Sequence, residues 1–288
     1  MSNPNNLLTK KDIFEIGEFA KDKRRHFDIG MLPIGDNIFK LIHKEKIYLI
    51  YTPIEIDDSR DNNFSAIYVC LRESGEEISY IGLNTADFLD KQIFALAHEL
   101  YHHFEKCQLH ICRSSDEEKN TSELKANRFA AEFLLPTEKL ETEIKEVNDG
   151  DINLTKWKHS ALLRQTARLH CEYRLPYKAI VRRLQEIGSI SQAQYNKLYI
   201  ENVRNTKSDY YQIGCSMNED IFKMLNTKSR KTGVDGNDLE KIIRNYEDGL
   251  ISISELADTL PDFNKSLADF GLEEKIDPDD LADLGQYY

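Results

Sequence analysis

From Asp90 to Lys106 the chain runs without a proline or glycine, and Ile93, Leu96, Ala97, Leu100 and Phe104 recur through it at helical spacing. The pattern predicts an amphipathic helix, capped by Asp90, with one side buried. Inside it lies His98-Glu99-Leu100-Tyr101-His102, an HExxH. Residues four apart on a helix share a face one turn apart, so both imidazoles reach one metal ion. Zn²⁺ takes such nitrogen ligands in a tetrahedral site, with a position for water where the protein supplies three. Glu99 then projects beside the metal, where a carboxylate can take a proton from that water. The competing reading is two ordinary histidines at the edge of a helical core, and a third ligand is what separates the two.

Residues 115 to 135 read as the helix that supplies it. Ser115 and Glu118 form a capping box, Asp116, Glu117 and Glu118 suit the positive end of the dipole, and Pro136 is a stop. Glu123, Asn127, Ala130, Ala131 and Leu134 fall on or near one face. Glu123 is the expected third ligand, and Asn127, one turn on, is placed to hydrogen-bond a ligating imidazole. Glu132 is the rival ligand and Glu105 a weaker one.

The pairing of IFALAHELYHHF (residues 93 to 104) with ELKANRFAAEFLLP (residues 123 to 136) resembles the ImmA/IrrE family of metallo-endopeptidases. The upstream order is similar: an N-terminal helix, a strand such as Ile47 to Tyr51, and a strand pair before the HExxH helix. EYRLPYKAIVRRLQEIGSI (residues 172 to 190) looks like the helix-turn-helix-like segment that follows the peptidase core in that family. The resemblance covers roughly residues 10 to 195. It implies a zinc endopeptidase that cleaves a DNA-bound repressor or a repressor-like antitoxin. By motif position His98 and His102 match the family's histidine ligands, Glu99 its catalytic glutamate and Glu123 its third ligand. Tyr101 departs from the pattern, since many members carry glycine before the second histidine. A tyrosine there either packs under the helix or narrows the cleft, which bears on substrate fit and not on ligation.

The expected fold class is α+β, mainly helical. A small three-stranded antiparallel or mixed sheet sits beside the HExxH helix, and the C-terminal part is all helical. Helices are expected over Lys11 to Arg25 and over Asp36 to His43, the second capped by Asp36. Ile47 to Tyr51, Phe64 to Leu71 and Glu77 to Leu83 are the strands, the last two flanking a turn at Ser74-Gly75-Glu76. A substrate can add to an exposed strand near the metal, and Ile78 to Leu83 is nominated for that. Helices follow over Thr137 to Val147, Thr155 to His170, Pro176 to Ile187, Asp220 to Asn226, Asp238 to Tyr246 and Ser254 to Thr259. Residues 201 to 218, with Gly214, read as a linker. The domain reading is a zincin-like core at 1–150, a helix-turn-helix-like segment at 151–200, and a helical C-terminal region at 201–288 with an acidic tail.

At 288 residues with 40% hydrophobic content the chain can bury a real core. No apolar run approaches the roughly 20 residues of a membrane span, and the polar start lacks a signal pattern, so a cytoplasmic protein without membrane contact is expected. The five cysteines are odd in number and scattered, which fits a reducing compartment. Cys107, His110 and Cys112 lack a fourth ligand for structural zinc and read as a short extended segment.

A net charge of −12 argues against direct nucleic-acid binding, although Lys178, Arg182 and Arg183 lie on one helix. The expected partner is therefore a protein substrate, a repressor or antitoxin. The expected cofactor is one Zn²⁺ per chain, with Mn²⁺ or Fe²⁺ as alternatives. Tyr101, His103 and Tyr173 are the candidate oxyanion donors. The alternative functions are a non-cleaving metal-binding regulator or toxin–antitoxin partner, and a DNA-binding transcriptional regulator using residues 155 to 190.

Overall fold

Thr9 and Asp12 cap one another at the start of α1 (Lys10–His26): the Asp12 amide donates to Thr9 Oγ1, and the Thr9 amide to Asp12 Oδ2. This reciprocal pairing gives partners to two donors that a helix start leaves unpaired. Ile16 and Ala20 turn the helix inward, and near its end the buried Arg24 guanidinium donates to the carbonyls of Gly30, Leu32 and Phe133. The computed structural model describes residues 8–55, 65–73, 76–105, 117–234, 236–263 and 265–272. They belong to two compact units, residues 1–232 and 233–288.

Asp36 does not cap the second helix. A 3₁₀ turn (Gly35–Asn37) entered by Gly35 at φ +50° feeds α2 (Ile38–Lys44) without a side-chain cap, and Asp36 faces Arg174 at 3.8 Å instead. The sheet of the first unit follows: β1 (Ile47–Thr52), β2 (Ala66–Glu73) and β3 (Glu76–Asn84). Within this unit they lie in the order β2-β3-β1. β2 pairs antiparallel with β3 (Tyr68↔Ile81) and β1 pairs parallel with β3 (Leu49↔Ile81), so the sheet is mixed. Alternation decides its faces: Ile47, Leu49 and Tyr51 are buried while Tyr48, Ile50 and Thr52 are exposed. The order also corrects one expectation. Ile78 to Leu83 belongs to β3, which is paired on both sides, so β2 is the strand at the end of this order.

α3 (Leu89–Phe104) packs on β2 and β3 and against α4 (Glu117–Leu134). Beyond lie α5 (Thr137–Val147), α6 (His159–Tyr173), α7 (Tyr177–Glu186) and α8 (Gln192–Tyr199). Of the three basic residues that α7 carries, Lys178 and Arg182 are exposed but Arg183 is buried against Glu132. The stretch read as a linker is partly helical, as α9 (Asp209–Met217), capped by Ser208 and followed by α10 (Glu219–Leu225). The reason is Gly214. A Cβ there would come within 2.1 Å of the Phe222 ring, so the glycine marks close helix packing and not a flexible joint. In the second unit a two-residue strand, β4 (Gly233–Val234), precedes α11 (Gly236–Glu247) and α12 (Ile253–Thr259), where Leu256 is buried. The chain is α+β, mainly helical, and no described helix is long and apolar enough to cross a membrane. Cys107, His110, Cys112 and Ser115 lie outside the described residues.

Candidate metal centre

α3 starts two residues earlier than its sequence suggested. Phe88 takes the N-cap position without a side-chain bond, and Asp90 lies in the first turn, fully buried. The Arg204 guanidinium grips both Asp90 oxygens at 2.7 and 2.8 Å, and His170 Nε2 stands 3.3 Å away. Burial alone would raise this carboxyl; His170 and Arg204 outweigh it and hold Asp90 below the usual carboxylate range. Asp90 is therefore an anchor for the start of α3, not its cap.

Ile93, Leu96, Ala97 and Leu100 point into the core at no measurable exposure, which leaves His98 and His102 at the border of the buried face. Across from them α4 buries Ala126, Phe129, Ala130 and Phe133 on its inner face. Small residues at 126 and 130 let the two helices approach, and Glu123 and Asn127 come opposite the histidines. His98 Nε2 lies 3.1 Å from His102 Nε2 and 3.0 Å from Glu123 Oε2, and His102 Nε2 lies 3.3 Å from Glu123 Oε1. The ligand atoms of the three residues all fall within 4.8 Å of one another.

These separations fit a metal. Zinc–nitrogen bonds of about 2.0–2.1 Å in a tetrahedron place neighbouring ligand atoms about 3.3 Å apart. With the proton of His98 on Nδ1, that atom donates to Asn127 Oδ1 at 3.1 Å, and the Nε2 lone pair is directed at the common point. Burial pulls the His98 imidazolium down, but the Glu123 hydrogen bond and the Glu99 and Glu123 charges outweigh it and hold His98 above the usual range.

Glu99 is buried beside this cluster, and its Oε2 accepts the backbone N–H of Tyr68 at 2.9 Å. Burial raises its carboxyl above the usual range, and the Glu123 charge adds to that against the histidines and the Tyr68 amide. A carboxyl held up in this way is suited to taking and returning a proton.

The structure thus brings His98, Glu99, His102, Glu123 and Asn127 together. Glu132 is elsewhere: it accepts from the Thr137 amide and hydroxyl and pairs with Arg128 and Arg183. Glu105 is exposed at the C-cap of α3. Of the candidate oxyanion donors, Tyr101 packs in the core beneath α3, its ring edge-on to Phe19 and tilted on Phe129, with centroids at 6.1 and 5.5 Å. The Tyr173 ring is fully buried and its hydroxyl donates to Glu143 Oε1 at 2.7 Å. His103 turns Nδ1 to the Tyr68 hydroxyl and Nε2 to Glu45, and burial holds it below the usual imidazole range. Tyr68 is the neighbour that sequence reasoning missed. It carries no motif, and only its place on a strand packed against α3 reveals it.

Residues 43–185 match the family model of the IrrE N-terminal-like domain. This stretch belongs to that family. It is a metallopeptidase-type domain, and it holds β1 to β3, α3 and α4, and so every residue of the cluster. Neither the curated proteins nor the solved structures give a match.

Proposed function

We propose that the protein is a zinc-dependent endopeptidase that cleaves a protein partner, a DNA-binding repressor or repressor-like antitoxin, in the cytoplasm. The observation that carries this reading is the cluster itself: two histidine nitrogens and a carboxylate converge on one point, with a buried carboxyl, Glu99, on the same helix. Bound Zn²⁺ supplies a Lewis acid for the scissile carbonyl and acidifies water at the site. Mn²⁺ or Fe²⁺ is compatible with the same donors.

The protein's own residues do the rest. His98, His102 and Glu123 hold the ion, and Asn127 keeps His98 in the tautomer that ligates. Glu99 keeps Oε2 on the Tyr68 amide, takes the proton of the attacking water on Oε1, and returns it to the leaving amine nitrogen. β2, at the end of the strand order and touching Glu99, is the strand to which an extended substrate adds, in place of β3. The net charge of −12 favours a basic partner, as a DNA-binding repressor is, over nucleic acid itself. The described cysteines, Cys70, Cys171 and Cys215, are free, in keeping with a reducing compartment.

The test is incubation of the zinc-loaded protein with a repressor-like protein encoded beside its gene, followed by mass spectrometry. Wild type should cut at a defined bond, and Glu99→Gln should keep its metal and slow cleavage at least about a hundredfold. Cleavage undiminished in Glu99→Gln would overturn the role given to Glu99, and an intact partner would overturn the substrate.

A further inference from the structure

Glu99 and His103 stand one turn apart on the same face of α3, and both hold the same residue of β2. Glu99 Oε2 accepts the Tyr68 main-chain N–H at 2.9 Å, and His103 Nδ1 lies 3.1 Å from the Tyr68 hydroxyl. The hydroxyl is also 2.9 Å from Ser79 Oγ on β3, and the far side of the His103 ring, Nε2, lies 3.4 Å from Glu45 Oε2. Glu45 Oε1 in turn meets His26 Nε2 at 2.7 Å. One assignment of protons satisfies the whole chain. Ser79 donates to Tyr68, Tyr68 donates to His103 Nδ1, and His103 Nε2–H donates to Glu45. The Tyr68 and His103 rings also meet edge to face, with centroids at 5.5 Å.

A glutamate side chain has several freely rotating bonds, and fixing it for proton transfer costs conformational entropy. A main-chain amide is an unusually rigid donor for that purpose, provided its strand cannot slide along the helix. β2 lies at the end of the strand order, where one partner strand is not enough to hold its distance from α3. The hydroxyl contact to His103 supplies the second attachment point, about 6 Å along the helix from the first.

We propose that Tyr68 is a positioning residue: its side chain, locked by His103 and Ser79, fixes β2 against α3 so that its amide holds the Glu99 carboxylate in one orientation. The proposal rests on the reading of Glu99 as the proton-transferring group. It assigns His103 to this lock and not to oxyanion binding.

The experiment is amide hydrogen exchange at residue 68, measured by NMR on the full chain. Wild type should show a protected amide, and Glu99→Ala, which removes the acceptor, should abolish that protection. Tyr68→Phe and His103→Ala should each speed exchange at residue 68 about tenfold or more while exchange at Ile81, in β3, stays unchanged. The Ile81 amide thereby reports that each variant folds. On a peptide that wild type cuts from a defined peptide library, Tyr68→Phe should lower kcat about tenfold with KM and bound zinc unchanged. A merely structural role would leave exchange at residue 68 in step with the rest of the sheet. Unchanged exchange at residue 68 in both Tyr68→Phe and His103→Ala would overturn the lock, whatever the protein cleaves. Exchange that responds as expected, in a zinc-loaded protein that cuts nothing in the library or its partner, would leave the lock standing and sink the peptidase reading.

Discussion

Helix α4 carries two glutamates that face nitrogen-bearing side chains, and the two behave oppositely. Glu132, near its end, accepts the Thr137 amide at 2.6 Å and the Thr137 hydroxyl at 2.9 Å, with Arg128 at 3.0 Å and Arg183 at 2.8 Å. Every one of these partners brings its own proton, so the carboxylate is closed off and nothing is directed at a vacant point. Glu123, near the other end, faces His98 and His102, whose Nε2 atoms also face each other at 3.1 Å. Imidazole nitrogens can offer lone pairs, and three such acceptors aimed together are what a cation gathers. Partner chemistry, more than position on the helix, separates the ligand from the structural ion pair.

The largest effect that tests this contrast is on stability. Glu132→Ala takes its closest carboxylate from the buried Arg183, which keeps only Glu186 at 3.3 Å, the Leu135 carbonyl and Thr137 Oγ1. The cost therefore falls at the lower end of the roughly 3–5 kcal/mol of a broken buried pair, read as a lower denaturant midpoint. Its zinc content should match wild type. Glu123→Ala should do the reverse, with metal lost and stability in chelator close to wild type. Loss of zinc from a folded Glu132→Ala would break the comparison.

A smaller effect lies in acid. Burial would raise the Glu132 carboxyl, but Arg183, Arg128 and Thr137 outweigh it and hold it below its ordinary 4.5. A depressed acid contributes stability that is fully present above its unfolded value and is lost as pH falls through the folded one. Wild type should therefore lose stability steadily below about pH 4.5, and Glu132→Gln should start lower and fall less steeply over that range. Equal slopes in urea titrations from pH 5 to 3 would contradict the pairing.

The smallest effect concerns the tautomer. Asn127→Ala should weaken zinc affinity about tenfold in competition with a chromogenic chelator, with no change in fold. An unchanged affinity would make the Asn127 contact incidental.

Local signals carried much of this to the reader of the sequence. The HExxH helix and its partner were legible because apolar spacing and an uninterrupted run describe a helix completely enough to place His98, His102, Glu123 and Asn127 on facing sides. What stayed hidden depends on residues far apart in the chain. Asp90 looks like a cap until Arg204 and His170 arrive to bury it. Gly214 looks like a hinge until Phe222 packs on it. β3 looks like an open strand until the parallel pairing with β1 fills its second side. Tyr68 has no signature at all, because its amide and its hydroxyl matter only once the fold brings Glu99 and His103 of α3 against β2.

The central claim is that His98, His102 and Glu123 bind one metal ion together. The direct measurement is metal content of the purified protein after zinc loading, wild type beside His98→Ala and Glu123→Ala. The expected result is about one zinc per chain in wild type, lost in both variants. Zinc absent from wild type, or retained in full by folded Glu123→Ala, would contradict it.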